Sequence, residues 1–156
     1  ASETIIPCNL YGQYDKFDSF RSHMIPAAIE KIYLARKLNK KSVEIWGSGK
    51  NKREFMHVND LTDFTEFILR KFSKIPEIIN VGTGKDYSIN YYYKIISKVI
   101  GYKGEFHHNI QKPEGTKRKI VDVSLQKELG WSPILTLEEG IYKTYNYYLS
   151  QKVDVK

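Results

Sequence analysis

Apolar positions along the chain recur with two periods, two residues and about 3.6, and the switches between them mark out strands and helices. Thr4–Leu10 (TIIPCNL) reads as a short strand, confined by Pro7 to a strand end or a sheet edge. Tyr11-Gly12 opens a polar loop that runs to Ser22 without apolar periodicity. Ala28, Ile32 and Ala35 recur at helical spacing between Ile25 and Leu38, and Pro26 suits a first turn. Ser42–Trp46 (SVEIW) alternates as a strand does, and Gly47-Ser48-Gly49 forces a turn. Arg53–Val58 is again strand-like. Asn59 or Asp60 is expected to cap a following helix whose Leu61, Phe64, Phe67, Ile68 and Phe72 share one face. Glu77–Val81 is a short apolar strand closed by Gly82-Thr83-Gly84. Ser88 is expected to cap a helix that turns Ile89, Tyr92, Ile96 and Val99 inward and ends at Gly101. Glu105–His108 reads as a strand, Ile120–Val123 as another strand or an extended segment, and Ser124–Leu129 as one to two helical turns stopped by Gly130. Thr136-x-x-Glu139 is a capping box opening a last helix to about Ser150, with Leu137, Ile141, Tyr145 and Tyr148 inward. Strands alternate with helices without repeat or linker, which predicts an α/β class and a single domain over residues 1–156.

Composition narrows this picture. With 41% hydrophobic and 13% aromatic residues, 12 of them tyrosine, the chain has the makings of a packed core. No run approaches the ~18 unbroken apolar residues of a membrane span, so no membrane partner is expected. Ala1-Ser2-Glu3 does not resemble a secretory leader, and a lone cysteine fits a reducing cytoplasm, the expected location. The net charge of +7 would suit a polyanion. The basic residues are dispersed, however, and the densest group, Lys112 to Lys119, is interrupted by Pro113, Glu114 and Gly115. Neither zinc-finger spacing nor an aromatic RNA-binding signature accompanies them, so nucleic acid is not the expected partner. A small molecule carrying a diphosphate would suit a basic cleft equally well, and a lysine-rich surface without a specific partner would also explain the charge. His107-His108 has no carboxylate or cysteine at useful spacing, and no metal site is expected.

Four segments carry a family likeness. They are Pro7-Cys8-Asn9-Leu10-Tyr11-Gly12, Ser22-His23-Met24-Ile25-Pro26-Ala27, Trp46-Gly47-Ser48-Gly49 with Arg53-Glu54-Phe55-Met56-His57-Val58, and Lys112-Pro113-Glu114-Gly115-Thr116 with Arg118-Lys119. Ile79-Asn80-Val81-Gly82-Thr83-Gly84 and Leu129-Gly130-Trp131 add to them. From about Ile5 to Leu149 the chain resembles the C-terminal, substrate-binding part of the GDP-L-fucose synthases, within the extended short-chain dehydrogenase/reductase superfamily. That resemblance implies an α/β fold in which the Rossmann half, with its Gly-x-x-Gly-x-x-Gly, serine and Tyr-x-x-x-Lys pair, is expected to lie outside these residues. It also implies NADP(H) as the cofactor of the full-length enzyme, held only weakly by these residues alone, and a GDP-sugar as substrate.

The same resemblance assigns candidate residues. His23 falls on the family's acid/base histidine, and a group titrating near neutrality suits proton removal and return beside a 4-keto group. Without the motif it is a polar histidine ahead of a helix. Pro7, Cys8, Asn9 and Leu10, with His23, fall on the wall near the nicotinamide; otherwise they form a plain strand end. Cys8 stands where the family usually has threonine and is not the family's epimerisation cysteine. Lys31 and Arg53 match diphosphate-binding positions, Arg53 by the forked geometry that lysine lacks; both would otherwise be solvated surface groups. Trp46 is placed beside the sugar or nucleotide, though a strand-end tryptophan is also a common core residue. Glu114 is placed to accept from a guanine edge or a ribose, and Lys119 is a further basic candidate. His57, at a strand-to-helix junction, is read as structural.

Three activities stay open: the binding portion of a GDP-L-fucose synthase performing 3,5-epimerisation and 4-keto reduction, a related GDP-4-keto-hexose or heptose reductase/epimerase, and a sugar-nucleotide-binding piece without turnover. The isolated chain is expected to be inactive. Surfaces that would meet a Rossmann half are expected to be bare and to drive association, a homodimer being the expected assembly.

Overall fold

The structure is a computed structural model that describes residues 4–18, 21–71 and 76–153. Nine short strands and five helices follow one another along the described chain. Strand β1 (Thr4–Pro7) pairs in parallel with β6 (Ile78–Val81), and β2 (Asn9–Tyr11) in parallel with β5 (Phe55–His57). The single strand read over Thr4–Leu10 is therefore two, broken at Cys8, whose N–H still donates to Val81 O at 2.9 Å. Strand β3 (Ser42–Trp46) lies parallel to β8 (Glu105–Asn109), with Val43 and Ile45 buried and their neighbours outward, as the alternation requires. A small sheet joins β4 (Lys52–Arg53) antiparallel to β7 (Tyr87–Ser88) and parallel to β9 (Arg118–Lys119). Arg53–Val58 is thus not one strand. Arg53 and Phe55 serve different sheets, and Val58 already belongs to a helix. Ile120–Val123 lies outside any ladder, and Val123, at φ −109° and ψ 18°, is not extended.

Helix α1 (Met24–Lys37) buries Ile25, Ala28, Ile29, Ile32 and Ala35, one stripe at 3.6-residue spacing. It packs against α3 (Ile89–Ile100), which packs in turn against α5 (Leu137–Val153). Most of the tyrosine content resides here. Tyr11, Tyr92, Tyr93, Tyr145 and Tyr148 join the isoleucines of the larger core, and hydroxyls bond outward where they can, Tyr92 to Arg53 O at 2.8 Å and Tyr102 to Lys40 O at 3.1 Å. A second core gathers Cys8, Met56, Phe64, Ile68, Ile79, Val81 and Trp131 beneath α2 (Val58–Leu69). Phe72, expected on that face, lies outside the described residues.

Capping is mostly as the residues predict. Ser88 Oγ accepts from Tyr91 N, Gly101 adopts φ 75°, and Thr136 and Glu139 bond each other's amides ahead of α5. Helix α2 differs. Its cap is His57, whose Nδ1 accepts from Asn59 N at 3.1 Å, not Asn59 or Asp60. Asp60 is drawn elsewhere, its Oδ1 accepting from Ile134 N and Leu135 N. Helix α4 (Ser124–Glu128) is the short turn expected before Gly130. No described helix is long and apolar enough to cross a membrane.

Candidate functional site

A buried carboxylate organises the centre of the molecule. Glu54, fully buried between β4 and β5, accepts from Gly84 N at 2.7 Å, Thr83 Oγ1 at 3.2 Å and Val121 N at 2.8 Å. Its own carbonyl accepts from Asn9 Nδ2 at 2.7 Å. Gln126 completes the arrangement with a two-way amide pair to Gly82 N and O. Sequence reasoning assigned neither residue a role. The available signal was an acid inside an apolar strand, which is buried only when paired or hydrogen-bonded.

Beside this frame lies a cleft of about 360 Å³ that gathers Asn9, His23, Lys31, Trp46, Arg53 and Glu114, six of the sequence candidates, from five separated parts of the chain. His23 is the N-cap residue of α1 in extended conformation. Its carbonyl takes Ala27 N and its imidazole makes no capping bond. Trp46 is 39% exposed, so the core alternative for it does not hold. Its indole Nε1 donates to Glu44 Oε1 at 2.9 Å, and Glu44 Oε2 accepts from Asn109 at 3.0 Å. The Asn109 amide, with the indole, holds the Glu44 carboxyl below its usual range. The ammonium groups of Lys31 and Lys112 stand 5.0 and 5.3 Å from the Trp46 ring centre. Partial burial lowers the Lys31 pKa, against the pull of Glu44. Arg53 is half-buried, with Nη1 donating to Lys52 O.

Glu114 has a structural task not foreseen. Oε1 accepts from Ser48 N, which holds its carboxyl below the usual range, and Asn51 Nδ2 bonds the Glu114 and Gly115 carbonyls. The residue clamps the 47–51 turn to the 112–117 loop, and Gly47, at φ 69°, lets that side chain pass.

A second cleft, of about 440 Å³, is lined by Cys8, Asn9, Leu10 and His23 with Tyr11, Gly12, Gln13, Tyr14, Asp15 and Val58. Asn9 and His23 belong to both clefts and so stand between them. Burial, reinforced by Glu54, pushes the Cys8 thiol up to about 12, so it is a protonated wall and not a nucleophile. Two candidates line neither cleft. Pro7 pairs with Val81 in the β1 ladder, and Lys119, exposed on β9, pairs with Arg53.

Two tyrosines in the chain do precede a lysine by four residues, Tyr33 with Lys37 and Tyr148 with Lys152. Spacing alone therefore does not exclude a Tyr-x-x-x-Lys pair. Geometry sets both apart from His23. Tyr148 is fully buried against Phe17 and Tyr33, and neither tyrosine lines either cleft.

Among curated proteins, the GDP-L-colitose synthase of Yersinia pseudotuberculosis is 53% identical over 150 residues, covering 96% of this chain and 49% of that protein. The GDP-L-fucose synthase of Azorhizobium caulinodans is 44% identical over 148 residues, covering 95% and 47%. The solved structure of a GDP-mannoheptose C4 reductase from Campylobacter jejuni with NADP bound superposes with a TM-score of 0.80 at 30% identity, covering 94% of this chain and 52% of that one. The chain thus spans about half the length of the curated relatives it matches. The family model described as NAD dependent epimerase/dehydratase matches residues 3–82. With the α/β fold, the clustered motif residues and this match together, the chain belongs to the NAD dependent epimerase/dehydratase family.

Proposed function

We propose that these residues form the sugar-nucleotide-binding portion of an NADPH-dependent enzyme that epimerises and reduces a GDP-4-keto-6-deoxyhexose. The observation that supports this most is the convergence of Asn9, His23, Lys31, Trp46, Arg53 and Glu114 on one cleft with a surplus of cations. Arg53 and Lys31 hold the diphosphate, Trp46 covers the sugar or nucleotide, and Glu114 offers its second carboxylate oxygen to the base or ribose. Lys119 steers the anion from outside the cleft. His23 accepts or returns the proton at a carbon beside the 4-keto group, from a position shared with the neighbouring cleft. That cleft fits the nicotinamide end of a cofactor, since Cys8, Asn9 and Leu10 offer neutral walls, with Pro7 behind them at the strand end. NADPH, when bound, supplies the hydride to C4. A Gly-x-x-Gly-x-x-Gly does not occur in the 156 residues, so its pyrophosphate would rest on a Rossmann half outside them.

The identity to a GDP-L-colitose synthase favours a second reading, a substrate lacking the 3-hydroxyl. There C3 carries no stereocentre to invert, and His23 acts at C5 alone. A GDP-4-keto-heptose is the further alternative, supported by the heptose reductase superposition.

Calorimetric titration with GDP tests the binding claim. Arg53→Ala should weaken binding roughly 10–100-fold, as charge-assisted hydrogen bonds of about 1.5–3 kcal/mol imply, and Arg53→Lys should recover only part of it. Equal affinity of parent, Arg53→Ala and Lys31→Ala would refute the assignment. For the chemistry, in the longest native polypeptide carrying these residues, His23→Gln should slow epimerisation by roughly 10²–10⁴-fold while sparing 4-keto reduction. Solvent deuterium entering C3 and C5, or C5 alone, separates the two readings. Parental epimerisation in the variant would remove His23 from the mechanism.

A further inference from the structure

A third cleft, of about 470 Å³, lies apart from the sugar-nucleotide cleft and contains none of its polar residues; Phe55 is the one side chain that lines both. Its walls are Tyr11, Phe55, Met56 and Tyr87 from the strands, Pro133 and Leu135 from the segment leading into α5, and Leu137 at the start of that helix. Two lysines, Lys85 and Lys127, add exposed cationic groups to the lining, and Lys127 Nζ lies 3.9 Å from where a Gly84 side chain would begin. Gly84 therefore leaves the space over which that ammonium reaches.

Thr83, Gln126, Ser132 and Thr136 bring uncharged polar groups to the lining, and Asp60 and His57 bring buried ionisable ones. Asp60 is buried, and its Oδ1 is occupied by the Ile134 and Leu135 amides. His57 is 2% exposed. With Nδ1 accepting from Asn59 N, the ring proton is on Nε2, and that buried Nε2 has no partner among the described residues. Burial, with the charge of Lys143, lowers its pKa to about 4 and keeps the imidazole neutral. Buried donors ordinarily find partners. A cleft of this size, whose lining mixes apolar side chains with convergent polar groups, has the character of a small-molecule site.

We infer that this cleft binds a small aromatic anion, with the ring system against Phe55, Met56 and Tyr87 and the anionic group at Lys85 and Lys127. Two lysines outnumber the one acid, and that acid faces backbone donors, so the lining selects against cations. The partly exposed Tyr87 and Pro133 offer the flat faces that select a planar body, over a floor of the nearly buried Tyr11, Phe55 and Met56. The site is independent of the sugar-nucleotide reading, since none of Lys31, Trp46, Arg53 or Glu114 takes part in it.

The two methionines of the chain report the two clefts separately, because Met56 lines this one and Met24 lines the other. In methyl-13C-methionine protein, with signals assigned by Met24→Leu and Met56→Leu, 2-naphthoate and 2-naphthyl phosphate should each shift Met56 saturably and more than Met24. GDP should act mainly on Met24. The neutral 2-naphthamide should bind less tightly than the acid, and the Lys85→Met/Lys127→Met double variant should lose roughly 5–10-fold in affinity for the anions, about 1 kcal/mol. The tighter of carboxylate and phosphate identifies the anionic group. Absence of a Met56 shift, equal shifts at both methionines, equal binding of the amide, or undiminished binding by a folded double variant would each overturn the inference. A GDP result at Met24 that fails bears only on the proposed function.

Discussion

Replacing Glu54 by Gln changes one atom type at the point where three segments meet. The parent carboxylate accepts two hydrogen bonds from the Gly82–Gly84 turn on Oε1 and one from Val121 N on Oε2. A glutamine can present its oxygen to only one side. If it faces Gly84 and Thr83, the new NH2 opposes the Val121 N–H. In the flipped orientation it opposes the Gly84 N–H. Either way one buried backbone donor loses its acceptor and meets another donor, and the remaining bonds lose their ionic character. An unsatisfied buried group costs about 1–3 kcal/mol, and bonds to charged groups are worth about 1.5–3 kcal/mol each. We expect Glu54→Gln to destabilise by roughly 2–4 kcal/mol, a large part of the ~5–15 kcal/mol of an ordinary domain. For a chain of this length that is a fall in Tm of roughly 5–15 °C. Urea unfolding followed by circular dichroism at pH 7 measures it, with Glu54→Asp and Glu54→Ala as companions. Because the Glu54 carbonyl holds Asn9, GDP affinity measured at a temperature where the variant is folded should fall too, by less than for Arg53→Ala. A midpoint unchanged within about 0.5 kcal/mol would show that the carboxylate is not what ties these segments.

His57 predicts a pH dependence. Burial lowers its folded pKa to about 4 from the 6.5 of a free histidine, so between those values the unfolded chain binds a proton that the folded chain refuses. Stability should fall as pH drops through 6.5 toward 4, by up to about 3 kcal/mol, and His57→Gln should flatten that part of the curve. A slope unchanged in the variant would assign it to other groups. Cys8, with its thiol near 12, should alkylate with iodoacetamide at pH 8 at least ~100-fold more slowly than in urea; comparable rates by mass spectrometry would contradict its burial. Ile6 and Ile78 are 44% and 59% exposed on the paired strands β1 and β6. The chain alone should therefore self-associate in sedimentation equilibrium, and Ile6→Lys with Ile78→Lys should reduce this. A clean monomer with low binding of an apolar dye would count against it.

Local pattern determined the elements whose residues speak for themselves. The stripe Ala28, Ile32, Ala35, the alternation of Ser42–Trp46, the Ser88 and Thr136 caps and the Gly101 stop need only neighbours within one or two turns, and each is found where its spacing puts it. The family motifs likewise pointed to residues that prove to share a cleft, because each motif is a short contiguous stretch. Tertiary structure decided the rest. His57 became the α2 cap once Asp60 was drawn off to Ile134 and Leu135, 74 and 75 residues along the chain. Glu114 became a clamp through a partner 66 residues away, and Glu54 a buried junction through Thr83, Gly84 and Val121. Tyr33 and Tyr148 carry a catalytic spacing but are turned into the aromatic core. A polar side chain takes whatever donor or acceptor the fold brings within about 3 Å, and that distance is set by packing between elements that no local window of sequence contains.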